Sequence, residues 1–385
     1  MKTQATRLLK PYTVWVLFPF LESDDPEIQH YYDFSHSQGE FTKVFEELKA
    51  DWKWQPVTTK NYKQVIKQIA GSSNGKTPLV FNLCDGDEVN GTPGVSVIHE
   101  LEKYGLIYTG SDAHFYDITT SKIPMKKAFD KAGVPTANWR VIDGKKGSTR
   151  GICKRVGTPI IIKPAVSGGS MGVSVKNVVN TEDELAKRVE EIHKGYHGWN
   201  LLADGLFVEQ FITGPEFTTF ITGSSDDIAN CRVYEPVERV FHPSLPDSER
   251  FLSFDRLWEI YGDESAMPQE ENFYDYYPVD PSLVEPLKKL SLDAYRSCGG
   301  TGYTRIDIRM DKLSGKLYML ELNAQCGLSA DEDYTSIGAI ITISRESFTQ
   351  VIVEVLEDAL RRAAKRTKTS VKTKTKKAGK PITVK

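Results

Sequence analysis

The stretch RIDIRMDKLSGKLYMLELN, residues 305–323, constrains this chain more than any other. Apolar and polar residues alternate on either side of Ser314-Gly315, which predicts a β-hairpin with strands Arg305–Met310 and Leu317–Leu322. Alternation puts Arg305, Asp307 and Arg309 on one face of the first strand, and Glu321 and Asn323 on one face of the second. A turn centred on Ser314-Gly315 sets Glu321, or its neighbour, across from Asp307. Two carboxylates facing each other across a ladder repel, so positive charge belongs between them. A hard divalent cation such as Mg²⁺ suits the oxygens of Asp307, Glu321 and Asn323, and leaves coordination places for phosphate. The same spacing suits Arg305 or Arg309 neutralising a structural carboxylate, and it leaves both readings open.

The hairpin sits in a chain of 385 residues, long enough for two or three domains. With 39% hydrophobic and 26% charged residues the chain reads as soluble and globular, which excludes disordered, collagen-like and coiled-coil classes. No apolar run approaches the roughly 18–20 residues needed to span a bilayer. Val14–Leu21, broken by Pro19, is of strand length and carries no cleavage-site pattern. The five cysteines form no CxxC pair, so free thiols in a reducing, cytoplasmic compartment are the simpler expectation. From Arg361 to Lys385 there are eleven Lys or Arg and no acid. Without aromatic residues to stack on bases, residues 365–385 read as a disordered, solubilising tail, not a nucleic-acid or membrane contact.

Val14–Phe18 and Pro78–Leu83 are apolar runs of the kind found in buried parallel strands, with helices expected at Phe41–Leu48 and Val95–Tyr104. They predict a small α/β domain over residues 1–120. Lys122–Ala132 reads as a helix stopped by Gly133, and Thr181–His193 as a helix with a Thr181/Glu184 capping box. Pro159–Lys163, Leu206–Gln210 and Phe217–Thr222 read as strands. Residues 241–278 lack periodicity and read as a long, lid-like loop, and Ser344–Ala364 as a closing helix.

Two further groups of residues bear on chemistry. Ser167-Gly168-Gly169-Ser170-Met171-Gly172 is a glycine-rich turn whose N–H groups and hydroxyls could converge on phosphate. It is neither a Walker A loop nor GxGxxG, and a tight structural turn is the competing reading. Lys163, ending an apolar strand just upstream, is costly to bury without an anionic partner. Glu209 and Glu216, around Gly214-Pro215, could accept from a base amine or from ribose hydroxyls, or could be solvated strand ends.

Together these pieces resemble the ATP-grasp superfamily and, within it, the D-alanine–D-alanine ligases. The resemblance covers most of residues 12–360 and is carried by Tyr108–Ser111, Lys122–Pro135, Ile161–Val175, Gly214–Thr218 and Tyr303–Gly327. It implies an α/β (α+β) ATP-grasp architecture. Residues 1–120 would form the small N-terminal domain, 121–205 a central subdomain with a flap, and 206–364 a C-terminal subdomain with lid and metal hairpin. ATP would lie between the last two. Lys122 and Lys163 match the phosphate-holding lysines. Ser167, Gly168, Gly169, Ser170 and Gly172 match the flap, and Glu209 and Glu216 the adenine- and ribose-side acids. Asp307, Glu321 and Asn323 match the ligands of two Mg²⁺ ions (Mn²⁺ being an alternative), and Arg305 the oxyanion arginine. The implied reaction joins small-molecule carboxylate and amine substrates through an acyl phosphate. A homodimer is common in such proteins.

The amino-acid side departs from the family pattern. Glu332 and Asp333 stand where a Ser-Leu pair binds the second substrate's carboxylate, just beyond Gly327, and an anion there would repel it. Cys84-Asp85-Gly86 replaces a His-Gly, and the early acid that takes the first amino group is Asp24 or Glu22. Gly169 replaces the flap serine, and the lid's Lys-Tyr pair gives way to something near Arg256-Leu257-Trp258. The expectation is a ligase with the nucleotide half kept, a re-specified amino-acid pocket, and a product other than D-alanyl-D-alanine. The same nucleotide residues would also serve carboxylate activation with cyclisation or a non-amine acceptor, or a non-catalytic regulatory protein.

Overall fold

The computed structural model describes residues 2–21, 33–72, 75–142, 149–195, 198–259, 264, 266–268, 271–331 and 335–378. Asp24, Glu332 and Asp333 lie outside the described residues, as does Glu22. Three sheets, flanked by helices, make up the fold.

The first sheet is parallel, in the order β2-β1-β3-β4, with β1 at Tyr12–Pro19, β2 at Asp51–Val57, β3 at Thr77–Asn82 and β4 at Ile107–Tyr108. Val14 and Val16 of β1 are fully buried, as a strand covered on both faces requires. The helices are α1 (Lys2–Leu9), α2 (Ser35–Glu47), α3 (Tyr62–Gly71), α4 (Val95–Lys103) and α5 (Ala113–Thr120). Helix α2 begins ahead of its apolar face and buries Phe41, Val44 and Phe45 against the sheet.

The second sheet is antiparallel, in the order β5-β8-β6-β7, with β5 at Trp139–Ile142, β6 at Ile160–Pro164, β7 at Val178–Val179 and β8 at Leu206–Gln210. Helices α7 (Ile152–Val156) and α8 (Glu182–His193) pack on it, while α6 (Lys122–Ala132) sets Ile123 against Phe207 of β8 and buries Met125 and Phe129 with the third sheet. Gly133 ends α6 in the left-handed region, at φ 71°, where glycine has no Cβ penalty. Thr181 and Glu184 form the capping box at the start of α8. The boundary expected between residues 205 and 206 cuts this sheet, because β8 pairs with both β5 and β6. An apolar strand does not announce which sheet it joins; the connection to the third sheet runs through residues 211–215.

The third sheet has the order β12-β11-β9-β13-β14, with β10 also paired to β9. Its strands are β9 (Glu216–Thr222), β10 (Arg232–Val233), β11 (Val237–Phe241), β12 (Tyr274–Pro278), β13 (Tyr303–Met310) and β14 (Leu317–Ala324). Helices α9 (Phe254–Trp258), α10 (Pro281–Ser297), α11 (Ser336–Ile343) and α12 (Phe348–Ala378) follow the chain. The expected lid loop of 241–278 therefore contains α9 and ends in an edge strand. Arg345, at φ 55°, breaks the expected closing helix, which starts at Phe348. That helix buries Val351, Val355 and Leu356 with Val14 and Val16, packing it against the first sheet. It runs on to Ala378 where a disordered tail was expected from 365. No glycine or proline interrupts it before Gly379. All five cysteines are free thiols. Among the described residues no helix is long and apolar enough to cross a membrane.

Candidate functional site

The hairpin β13–β14 pairs Arg305 with Asn323 and Asp307 with Glu321. The ladder is irregular just beyond, since Ile308 faces Met319 and Leu320 is left over as a bulge. Positive groups meet both carboxylates. Asp307 accepts from Thr218 Oγ1 at 2.8 Å, from Arg305 Nη2 at 3.2 Å and from Asn323 Nδ2 at 3.2 Å. Glu321 lies 3.3 Å from Lys122 Nζ, which donates to the Ser167 carbonyl at 2.8 Å. Burial alone would raise the pKa of Glu321, but Lys122, Lys163 and Arg305 hold it below the usual carboxylate range. The lysine at the start of α6 thus bridges hairpin and flap.

Lys163, at the end of β6, donates to Glu209 Oε1 at 2.7 Å. Burial opposes its charge, yet Glu209 and Glu321 raise its pKa. Glu209 is 2% exposed, and its second oxygen lies 2.5 Å from Lys126 Nζ. Burial works against this carboxylate too, but the two lysines drive its pKa down to about 2. Glu216 shares one rung with Arg239 of β11 and Arg309 of β13. It is paired with both guanidiniums, at 3.0 Å to Arg309 Nε. Neither glutamate is the solvated strand end that the sequence allowed.

Two cations of this network escaped sequence reasoning. Lys126 is one helical turn after Lys122, on the same face, and the KxxxK spacing was the available signal. Arg239 occupies an inward position of Val237–Phe241, between two buried apolar residues. A charge at such a position requires a buried partner.

The segment Ser167–Gly172 is a turn held by its own bonds: Ser167 Oγ donates to the Met171 carbonyl at 2.6 Å, and Met171 N to the Gly168 carbonyl at 3.0 Å. Ser170 sits at φ 64° and Gly172 at φ 72°. A Cβ on Gly172 would lie 2.9 Å from the methyl ends of Leu201, so the left-handed backbone is the stronger reason for glycine there. From α9, Trp258 Nε1 donates to the Gly169 carbonyl at 2.7 Å, joining that helix to the glycine-rich turn. Asp85 is exposed on the loop after β3, and Gly327 is exposed beyond β14. Among the described residues no group of three or more His, Cys, Asp or Glu is placed to hold a metal. The hairpin offers two carboxylates and an amide, an all-oxygen set that fits Mg²⁺ shared with a phosphate ligand.

Residues 128–357 match a family model described as D-ala D-ala ligase C-terminus. The D-alanine–D-alanine ligase of Marinobacter nauticus is 28% identical over 260 residues, 68% of this chain and 69% of that protein. That of Pseudoalteromonas translucida is 26% identical over 68% of this chain and 74% of its own. The solved D-alanine–D-alanine ligase of Bacillus anthracis, also determined with ATP, superposes with a TM-score of 0.64 at 17% identity, covering 92% of this chain and 99% of that one. The enzyme of Coxiella burnetii gives 0.64 at 15% identity, over 94% and 99%. These structures show the same fold.

Proposed function

The chain belongs to the D-ala D-ala ligase C-terminus family of ATP-grasp ligases, and from that premise we propose that it joins two amino acids through an acyl phosphate. The observation that carries this reading is the Asp307–Glu321 rung, with Arg305, Lys122 and Lys163 converging on it. Mg²⁺ held by Asp307, Glu321 and Asn323 would neutralise phosphate oxygens during transfer. Lys122 and Lys163 then bind the phosphates, exchanging their present carboxylate partners for phosphate oxygens. Lys126 stays on Glu209 and keeps that buried carboxylate paired when Lys163 turns away. The flap Ser167–Gly172 closes over the phosphates, with Lys122 already on its first carbonyl. Glu209 and Glu216 would serve the base and ribose sides, the roles their positions in the family pattern imply.

The donor carboxylate attacks the γ-phosphoryl group, giving ADP and an acyl phosphate. The acceptor amine adds to the acyl carbon, and phosphate leaves the tetrahedral intermediate. Arg305, fixed by its hydrogen bond to Asp307, supplies the positive charge for the oxyanion. No covalent protein nucleophile is required.

The relatives named above are D-alanine–D-alanine ligases, so D-alanine is the first compound to try on both sides. The expectation of a different product, drawn from the departures at Glu332 and Asp333, Cys84–Gly86, Gly169 and Arg256–Trp258, finds no support among those relatives. The test is ADP and phosphate release with Mg-ATP across single and paired D- and L-amino acids, products identified by mass spectrometry, with Glu321→Ala as the blank. A condensed product from one pair supports the ligase. Release with one acid and no adduct would point to an acyl phosphate awaiting another acceptor. Silence across the grid overturns the proposal.

A further inference from the structure

The loop after β3 fixes its backbone around one side chain. Cys84 N donates to Asn82 Oδ1 at 3.1 Å, and the Cys84 carbonyl accepts from Gln325 Nε2 at 2.7 Å. Gly86 N donates to the Pro93 carbonyl at 3.1 Å, and the Gly86 carbonyl accepts from Tyr116 Oη at 2.7 Å. Asn82, Gln325 and Tyr116 are all buried. A Cβ on Gly86 would lie 2.3 Å from the Thr92 carbonyl oxygen, so the two arms of the loop are in contact. Between these clamped neighbours stands Asp85. The residue is exposed, and its carboxylate, partly desolvated by the loop, has no hydrogen bond or ion pair among the described residues apart from its own backbone N–H.

The strut from the hairpin is specific. Gln325 follows Asn323 by two residues, adopts φ 54°, and accepts from Ser111 N at 3.3 Å while donating to Cys84. A left-handed glutamine is strained, and such strain concentrates at functional sites. Asp85 acts electrostatically on Cys84, Tyr116, Tyr303 and Cys326, none of them a cation, and Glu88 adds a second negative charge to Cys84 and Tyr116. Tyr303 Oη, fully buried, is also without a hydrogen-bond partner among the described residues. Cys326 in turn accepts from the backbone of Arg305, at the reacting end of the hairpin. Desolvation of the carboxyl by the loop packed around it, with no cation beside it, pushes Asp85 up to about 6, even though the residue as a whole is exposed. An anion held rigid without a cation is unfavourable until a cation arrives. One carboxylate does not make a metal site, whereas a single ammonium group is satisfied by one carboxylate and neighbouring carbonyls.

We propose that Asp85 anchors the ammonium group of an α-amino acid substrate, with Gln325 as the positioning residue that holds the loop. This rests on the ligase reading above. The test uses the full chain and Asp85→Asn, with D-alanine as the probe and, if it is silent, the pair that the amino-acid grid makes active. The amino acid is compared with its des-amino analogue, propionate for D-alanine. The expected result is a KM for the amino acid raised at least tenfold in D85N, an unchanged KM for ATP, and lost discrimination against the analogue. Gln325→Ala moves the same KM in the same direction by a smaller factor. An unchanged amino-acid KM in a D85N protein that still releases ADP overturns the anchor and leaves the ligase standing. A wild-type chain that releases no ADP with any amino acid overturns both. Asp85 has no partner to lose, so D85N folds, which a thermal melt checks.

Discussion

Lys126 and Glu209 form an ion pair at 2.5 Å with 1% and 2% of their side chains exposed. Thr136 completes the lysine's environment, accepting from Nζ at 2.6 Å. Burial pulls the pKa of Lys126 down, and Glu209 pulls it back. Removing one member of a buried pair strands the other's charge, at a cost of about 3–5 kcal/mol. Lys126→Met is therefore expected to lower the unfolding free energy read from a urea titration by that amount, and the double variant with Glu209→Leu to recover part of it. Glu209, held at about 2 against an ordinary 4.5, contributes stability that is present above about pH 4.5 and lost as pH falls toward 2. Equilibrium unfolding across that window checks the sign.

Glu321 is a quarter exposed and sits at the end of a strand pair that Asp307 closes. Glu321→Ala removes an oxygen donor without opening a core cavity. Its melting temperature is expected to stay near that of the wild type while Mg²⁺-dependent ADP release falls by about 10²–10³. Parallel melts and steady-state kinetics over a Mg²⁺ titration separate the two effects.

Trp258 joins its helix to the glycine-rich turn through a single donor, the indole N–H on the Gly169 carbonyl. Trp258→Phe keeps the ring and deletes the hydrogen bond, whose net worth is about 1 kcal/mol. The expected outcome is a KM for ATP raised about five-fold, with kcat unchanged or higher where lid opening limits turnover. A fall in kcat with constant KM would place the indole elsewhere in the cycle.

The parts of this protein legible in its sequence are those where a local pattern fixes a geometry. Period-two alternation around Ser314-Gly315 located the hairpin and brought Asp307 to Glu321. Thr181 and Glu184 marked a helix start because both capping bonds are local. Partners set by tertiary placement were not legible. Nothing near Leu206–Gln210 tells that β8 closes the second sheet, and nothing near Glu216 tells that Arg239 and Arg309 flank it on adjacent strands. Tyr274–Pro278, rich in tyrosine and aspartate, lacks an apolar face because it is an edge strand with its residues partly exposed. The basic end of α12 showed charge but no helix breaker, and the absence of a breaker was the better guide.

Asp85 also makes a prediction about stability. Its carboxyl titrates near 6 in the folded chain, against an ordinary 3.8. A folded state that binds a proton more tightly than the unfolded one loses stability as pH rises between those values. The charge carried above pH 6 is therefore a cost of the native state, and Asp85→Asn removes it. The variant is expected to melt above the wild type at pH 7.5, with the two curves converging below about pH 4. The overall exposure of the residue keeps the difference small, because solvent screens part of the charge. An amino acid bound at Asp85 reverses the order: it raises the wild-type melting temperature and leaves D85N where it was. Melts of both proteins from pH 4 to 8, with and without D-alanine, decide this. Coincident curves throughout would mean that Asp85 is an ordinary solvated carboxylate.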